Sequence, residues 1–236
     1  MSIPAKEKQA AAPGGSVLAP KTPPDVGARS QRRRIIESML ERCAEKTYAH
    51  TTIGDIVSGA RISRSTFYKR FADKRACFEA TVEHCLEDLT RTAREAQEPG
   101  RPPAERLRAA IAAVLARMAE RPAIGKLLSA DAVALDPTVT DRYRRLVGPV
   151  VERLWFEGAR PRDAGSDPGL ALGRARLLIF DLIAAGRASE LPRLLPELTY
   201  LTLLPYAGHE EALREADAAA RSLERGAVAG AGDGAR

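Results

Sequence analysis

The chain has little of what membrane spans, metal centres and most enzymes require. No apolar run approaches the ~20 residues of a membrane span. Lys6 and Lys8 lead into Ala12-Pro13-Gly14-Gly15 rather than into the apolar core of a signal peptide. The expectation is therefore a cytoplasmic protein. The 3 cysteines, Cys43, Cys77 and Cys85, occupy apolar helix positions without paired spacing, which reads as reduced core thiols rather than disulfides or zinc ligands. The 3 histidines are scattered, so neither a metal nor a cofactor is expected. His50 reads as a surface or capping residue. Aromatic content of 5% is too low for a platform on which single-stranded bases stack. GxGxxG, P-loop, GxSxG and HExxH patterns are missing, and there is no positive sign of an enzyme.

What the chain does have is a core-forming apolar content of 44% and a basic excess of +6. That charge is unevenly placed. Residues 28–75 hold 12 Lys and Arg against 5 Asp and Glu, a balance of +7, which leaves −1 for the rest. Neutralising phosphates needs such a concentration of cations. Within this stretch, Ile53, Ile56, Val57 and Ala60 fall at i, i+3, i+4 and i+7, the spacing of one apolar helix face. Thr52 stands where a hydroxyl caps that helix. Arg61 and Ile62 form a turn, and Ser63 is the next cap. The helix over 64–70 is anchored by Ile62, Phe67 and Phe71, and Asp73 caps a third helix. Two short helices about a tight turn make a helix-turn-helix, whose second helix enters the DNA major groove. Arg64, Ser65 and Thr66 are expected at base edges. Thr52, Tyr68, Lys69 and Lys74 are expected on phosphates.

Taken in order, residues 1–28 read as a disordered Ala/Pro/Gly tail. Arg29, Arg32, Arg33 and Arg34 are either a basic arm along phosphates or a minor groove, or simply part of the first helix. That helix is expected over 30–46 and the next long one over 73–96. Glu98 to Pro103 is a linker. Further helices are expected over 104–119, 123–129, 136–158 (kinked at Pro149), 167–188, 192–204 (ended by Pro205) and 209–223. No strand pattern or internal repeat appears. The fold class is all-α, with nine or ten helices. A three-helix, homeodomain-like head over 29–75 precedes a helical effector-binding and dimerisation domain over 76–225, and 226–236 read as a flexible tail. Small residues in the apolar helices about 168–188 and 192–204 suit a four-helix homodimer interface. Met118, Tyr143, Trp155, Phe156 and Phe180 are candidate linings for a hydrophobic effector pocket, against the plainer reading that they are core.

The stretch around the turn also resembles the DNA-binding domain of the TetR family of one-component regulators. The likeness is carried by Thr52-Ile53, Asp55-Ile56, Ala60, Ile62-Ser63-Arg64, Thr66-Phe67-Tyr68, Phe71, Lys74 and Phe78. Arg61 departs from it, since the family has glycine there; a turn needing φ > 0 would strain Arg61. The resemblance implies a homodimeric regulator, in most cases a repressor, that binds a palindromic operator in double-stranded DNA and is released by a small-molecule effector. The competing expectation is an effector-independent architectural or interaction protein that uses the same fold without reading DNA.

Overall fold

Three side-chain caps start three successive helices at the centre of the N-terminal unit in a computed structural model of the chain, which describes residues 24–128 and 168–233. Thr52 Oγ1 accepts from the Asp55 N–H at 3.1 Å, Ser63 Oγ from the Thr66 N–H at 3.1 Å, and Asp73 Oδ1 from the Ala76 N–H at 2.7 Å. Each satisfies an amide that a helix start leaves without a partner. They open α2 (Ile53–Ala60), α3 (Arg64–Tyr68) and α4 (Lys74–Glu95), behind α1 (Pro24–His50). Next come α5 (Pro103–Glu120), α6 (Pro122–Lys126) and α7 (Pro168–Ala184). A 3₁₀ segment (Ala188–Leu194), α8 (Leu195–Ala207) and α9 (His209–Asp233) complete the order. Among the described residues every regular element is helical, and no helix is long and apolar enough to cross a membrane.

The head forms because one face of each helix is apolar. Ile35, Ile36, Met39, Leu40 and Cys43 of α1 pack with Ile56 and Ala60 of α2, with Phe67 and Phe71, and with Cys77, Phe78 and Val82 of α4. Burial pushes the Cys77 and Cys85 thiols up to about 12, so they behave as apolar groups. In the body, α4 lies on α5, α5 on the 3₁₀ segment and α8, α6 on α7, and α8 on α9. Ion pairs tie the layers: Asp88 of α4 to Arg117 of α5 at 2.8 Å, and Arg108 of α5 to Glu215 of α9 at 2.8 Å. Burial would raise the Asp88 pKa, but the hydrogen bond from Arg117 and the charges of Arg117 and Arg91 outweigh it and hold the carboxyl low. Head and body are also joined directly. Arg121, just ahead of α6, donates to Glu37 of α1 at 2.5 Å, and Lys126 of α6 to the Ala44 carbonyl.

Several helix limits differ from the sequence expectation. α1 begins at Pro24 rather than near Ser30, and its helical path breaks at Thr47 (φ 68°, ψ 160°). Thr51 closes that break, its hydroxyl donating to the Thr47 carbonyl at 2.8 Å. The helix expected over 64–70 ends at Tyr68, although Lys69 and Phe71 still donate backwards to Ser65 and Phe67. α7 stops at Ala184 instead of 188, because Gly186 turns to φ +73°. Pro192 falls in the 3₁₀ segment, so α8 starts at Leu195. Pro205 does not end α8. It sits in the last turn, where it costs one backbone bond, and Gly208 (φ 83°) terminates the helix. α9 runs past 223 to Asp233. The helix expected over 136–158 lies outside the described residues.

A Cβ built on Gly59 would stand 2.3 Å from Ser38 Oγ, and Ser38 holds the Ile56 carbonyl at 2.9 Å. Ser38 can give way only by breaking that buried bond. Gly59→Ala should therefore cost about 1–2 kcal/mol, an overpacking loss partly offset by helix propensity, with recovery in Ser38→Ala/Gly59→Ala; an unchanged melting temperature would refute the contact. Arg61 lies in the left-handed region (φ 53°, ψ 53°). Arg61→Gly should stabilise the protein by about 0.5–1 kcal/mol, the left-handed strain less glycine's extra chain entropy, read as a raised urea midpoint.

Candidate nucleic-acid interface

The turn between α2 and α3 closes as a Schellman motif: the Arg61 N–H bonds to the Ser58 carbonyl at 3.1 Å and the Ile62 N–H to the Val57 carbonyl at 3.0 Å. An L-residue thus takes the left-handed position that glycine fills most cheaply. The other end of α2 carries a capping box, in which the Thr52 N–H donates to Asp55 Oδ2 at 3.0 Å while Thr52 Oγ1 takes the Asp55 N–H. Lys46 clamps the same carboxylate at 2.8 Å. That hydrogen bond, with the Thr52 N–H, holds the Asp55 carboxyl well below the usual carboxylate range. A depressed carboxylate adds stability above its unfolded pKa of about 3.9 and loses it only as pH falls through the lower folded value. The clamp is therefore complete at neutral pH. Thr52-x-x-Asp55 was legible as a cap pattern; the reach of Lys46 from α1 was not, because it depends on how the helices cross.

On α3 the buried and exposed residues separate cleanly. Phe67 is 0% exposed and packs into the head, with Phe71 5.8 Å away ring to ring. Arg64, Ser65, Tyr68 and Lys69 are exposed, and Thr66 is half-buried. The Ser63 hydroxyl lies 2.9 Å from both the Ser65 and the Thr66 hydroxyls. Hydroxyls rotate, so this cluster retains donors and acceptors for an incoming partner. Tyr68 is 55% exposed and stands edge-on to Phe67 at 5.5 Å. The Arg64 guanidinium lies beside Gly54, near the start of α2. Thr52, Arg64, Ser65, Tyr68 and Lys69 are thus open to solvent, with Arg64 of α3 reaching the start of α2, while Phe67 is turned inward.

Lys74, expected on a phosphate, spends two of its donors within the chain. Its Nζ donates to the Tyr48 carbonyl at 3.0 Å and the Thr51 carbonyl at 2.9 Å, and sits 4.2 Å from the centroid of the Tyr48 ring. An ammonium has three donors, and two here pin the α1–α2 junction. The sequence could not show this, because it depends on how the end of α1 meets the start of α4.

Of the candidate effector residues, Met118 is buried on α5 and Phe180 half-buried on α7. A Cβ on Gly125 of α6 would meet both Ile183 Cδ1 at 2.3 Å and Met118 Cε at 3.0 Å, so three helices converge there. Tyr143, Trp155 and Phe156 lie outside the described residues. Among the described residues no group of three His, Cys, Asp or Glu is arranged to hold a metal.

Comparison with known proteins points the same way. The family model described as bacterial regulatory proteins, tetR family, matches residues 35–81. The HTH-type transcriptional regulator BetI of Burkholderia cenocepacia is 36% identical over 92 residues, 38% of this chain and 47% of that protein. The BetI of Burkholderia thailandensis matches to the same extent. The chain thus spans about half the length of the curated relatives it matches. In fold it is similar to the fatty acid degradation regulator FadR of Bacillus halodurans (TM-score 0.61, 13% identity, 78% of this chain and 97% of that one). It is also similar to FadR of Bacillus subtilis in complex with stearoyl-CoA (TM-score 0.54, 16% identity, 75% and 98%) and to RolR in complex with resorcinol (TM-score 0.53, 19% identity, 81% and 95%). Residues 35–81 are thus similar to the helix-turn-helix of bacterial regulatory proteins of the tetR family, and the chain as a whole shares the fold of the structures named.

Proposed function

We propose that this chain is a cytoplasmic transcriptional regulator, a repressor that binds a palindromic operator as a homodimer and lets go when a small apolar effector enters its body. One observation carries the DNA-binding part. α3 buries Phe67 completely and turns Arg64, Ser65, Tyr68 and Lys69 to solvent, within the segment that holds the whole basic excess. A fork donor and small hydroxyls at the start of the helix suit base edges, and Tyr68, Lys69 and Thr52 suit the flanking phosphates.

Dimerisation is supported by leucines left in water on α7 and α8. Leu177 is 61% exposed and Leu204 38%. Pairing these helices across a two-fold axis would cover both and set two heads at half-site spacing. An apolar effector is supported by the junction of Met118, Gly125 and Ile183, with Phe180 one turn away from Ile183. The regulators FadR and RolR, similar in fold, are seen with stearoyl-CoA and resorcinol. A ligand there would press on α6, which is bonded to α1 through Arg121–Glu37 and Lys126–Ala44. It would also shift α4, the helix shared by head and body. To release DNA it must bind the spread arrangement more tightly than the DNA-bound one.

The competing reading, an architectural protein that does not read DNA, predicts no salt-dependent binding to generic duplex, whereas the regulator predicts a steep salt dependence. Arg64→Ala should lower discrimination between operator and random DNA by ~1–3 kcal/mol if it makes a bidentate base contact. Lys69→Ala should weaken binding to all duplexes alike and flatten the salt dependence by about one phosphate's worth. Equilibrium titrations on both DNAs decide; an operator preference untouched by Arg64→Ala removes the assigned base contact.

A further inference from the structure

Arg32, Arg33 and Arg34, in the early turns of α1, are exposed and precede the stretch matched by the family model. Two contacts bring that end of α1 beside the trailing edge of α3. Arg70 Nη2 donates to Gln31 Oε1 at 3.2 Å, and the Arg32 guanidinium lies 5.1 Å from the centroid of the Phe71 ring. Both holders are neutral. Several other arginines are held by carboxylates, Arg42 by Glu45, Arg75 by Glu79, Arg101 by Glu98 and Arg121 by Glu37, while Arg106, in the body, also has an amide partner in Gln97. A carboxylate cancels the field of the guanidinium it holds. An amide or an aromatic face orients the group and leaves its positive charge to act outward. Gln31 accepts from one nitrogen of Arg70, and the ring takes one face of Arg32, so both keep N–H donors for the oxygens of an anion. No Asp or Glu occurs between Arg29 and Ile36. The next acid, Glu37, is turned to Arg121. Lys69 is exposed next to Arg70, which makes the basic surface continuous from α3 onto α1.

We propose that Arg32 and Arg70, set by Phe71 and Gln31, form a second phosphate grip, meeting the DNA backbone beside the groove that α3 enters. The proposal rests on the DNA-binding reading given above and extends its footprint to the start of α1. Phosphates are the fitting partner because the pair flanks the reading helix at its far end from Arg64, Ser65 and Thr66. The grip therefore adds affinity for any duplex and carries no base preference.

The test is fluorescence anisotropy of the full chain on a random-sequence duplex of about 30 base pairs, from about 50 to 200 mM salt. Arg32→Gln/Arg70→Gln should reduce the slope of log affinity against log salt by about 2, near 0.9 for each phosphate released, with the largest loss of affinity at low salt. Arg32→Lys/Arg70→Lys should keep most of the slope. Arg101→Gln/Arg193→Gln, which removes the same charge from the body, should keep all of it. Where the glutamine pair melts early, Arg32→Met/Arg70→Gln preserves packing on Phe71 and should show the same reduced slope. A folded double variant with the wild-type slope overturns the grip while leaving DNA binding by α3 intact. A loss confined to A·T-rich duplexes also overturns it, in favour of base readout. A wild-type chain that ignores duplex DNA at every salt removes both the DNA-binding reading and the grip.

Discussion

A helix of five residues has no stability of its own in water, because nucleating it costs more than so few backbone bonds return. α3 exists because Phe67 is buried. The ring fills the space between α1, α2 and α4, and Phe71 closes it from the side. Everything at the candidate interface follows from that one anchor. Its depth fixes how far Arg64 and Ser65 stand out from the head, and its rotation decides that Tyr68 and Lys69 face water instead of the core.

The rest of the head holds this anchor in register. Ser38 reaches from α1 to the Ile56 carbonyl, Lys46 to Asp55, and Lys74 to two carbonyls at the α1–α2 junction. These bonds fix the angle of α2, and the Schellman turn then fixes α3 against α2. Two residues take positive φ on either side of α2, Thr47 and Arg61. For a β-branched threonine at φ 68°, ψ 160° that conformation is costly, and it is over-determined here by Thr51 and His50. α2 is thus mounted between two strained joints, each held by local hydrogen bonds.

The local chemistry of the head was legible in the sequence. Thr52, Ser63 and Asp73 each stand one residue before a helix in a pattern that demands a cap, and the apolar spacing of Ile53, Ile56, Val57 and Ala60 named the inner face of α2. Phe67 and Phe71 were legible as anchors because they alternate with charged and hydroxyl residues. What was not legible depends on crossing geometry. Lys74 turns inward, and Arg32 and Arg70 find neutral holders, because of how α1 passes α3 and α4, which no single-helix pattern encodes. In the body, proline misled where it met an element near its edge. Pro192 entered a 3₁₀ segment, and Pro205 was absorbed in the final turn of α8, where the lost bond costs little. Gly186 and Gly208, with φ of +73° and +83°, mark the true stops.

α4 has a consequence for how the molecule could be divided. Its first half supplies Phe78 and Val82 to the same core as Phe67, and its second half carries Asp88, clasped by Arg117. Arg121 and Lys126 then fasten the far side of α1. A fragment cut just after Arg75 would therefore leave Phe67 roofless and Glu37 without its cation. The smallest autonomous piece that keeps α3 in place has to include α4 and extend through α6, well beyond the helix-turn-helix itself.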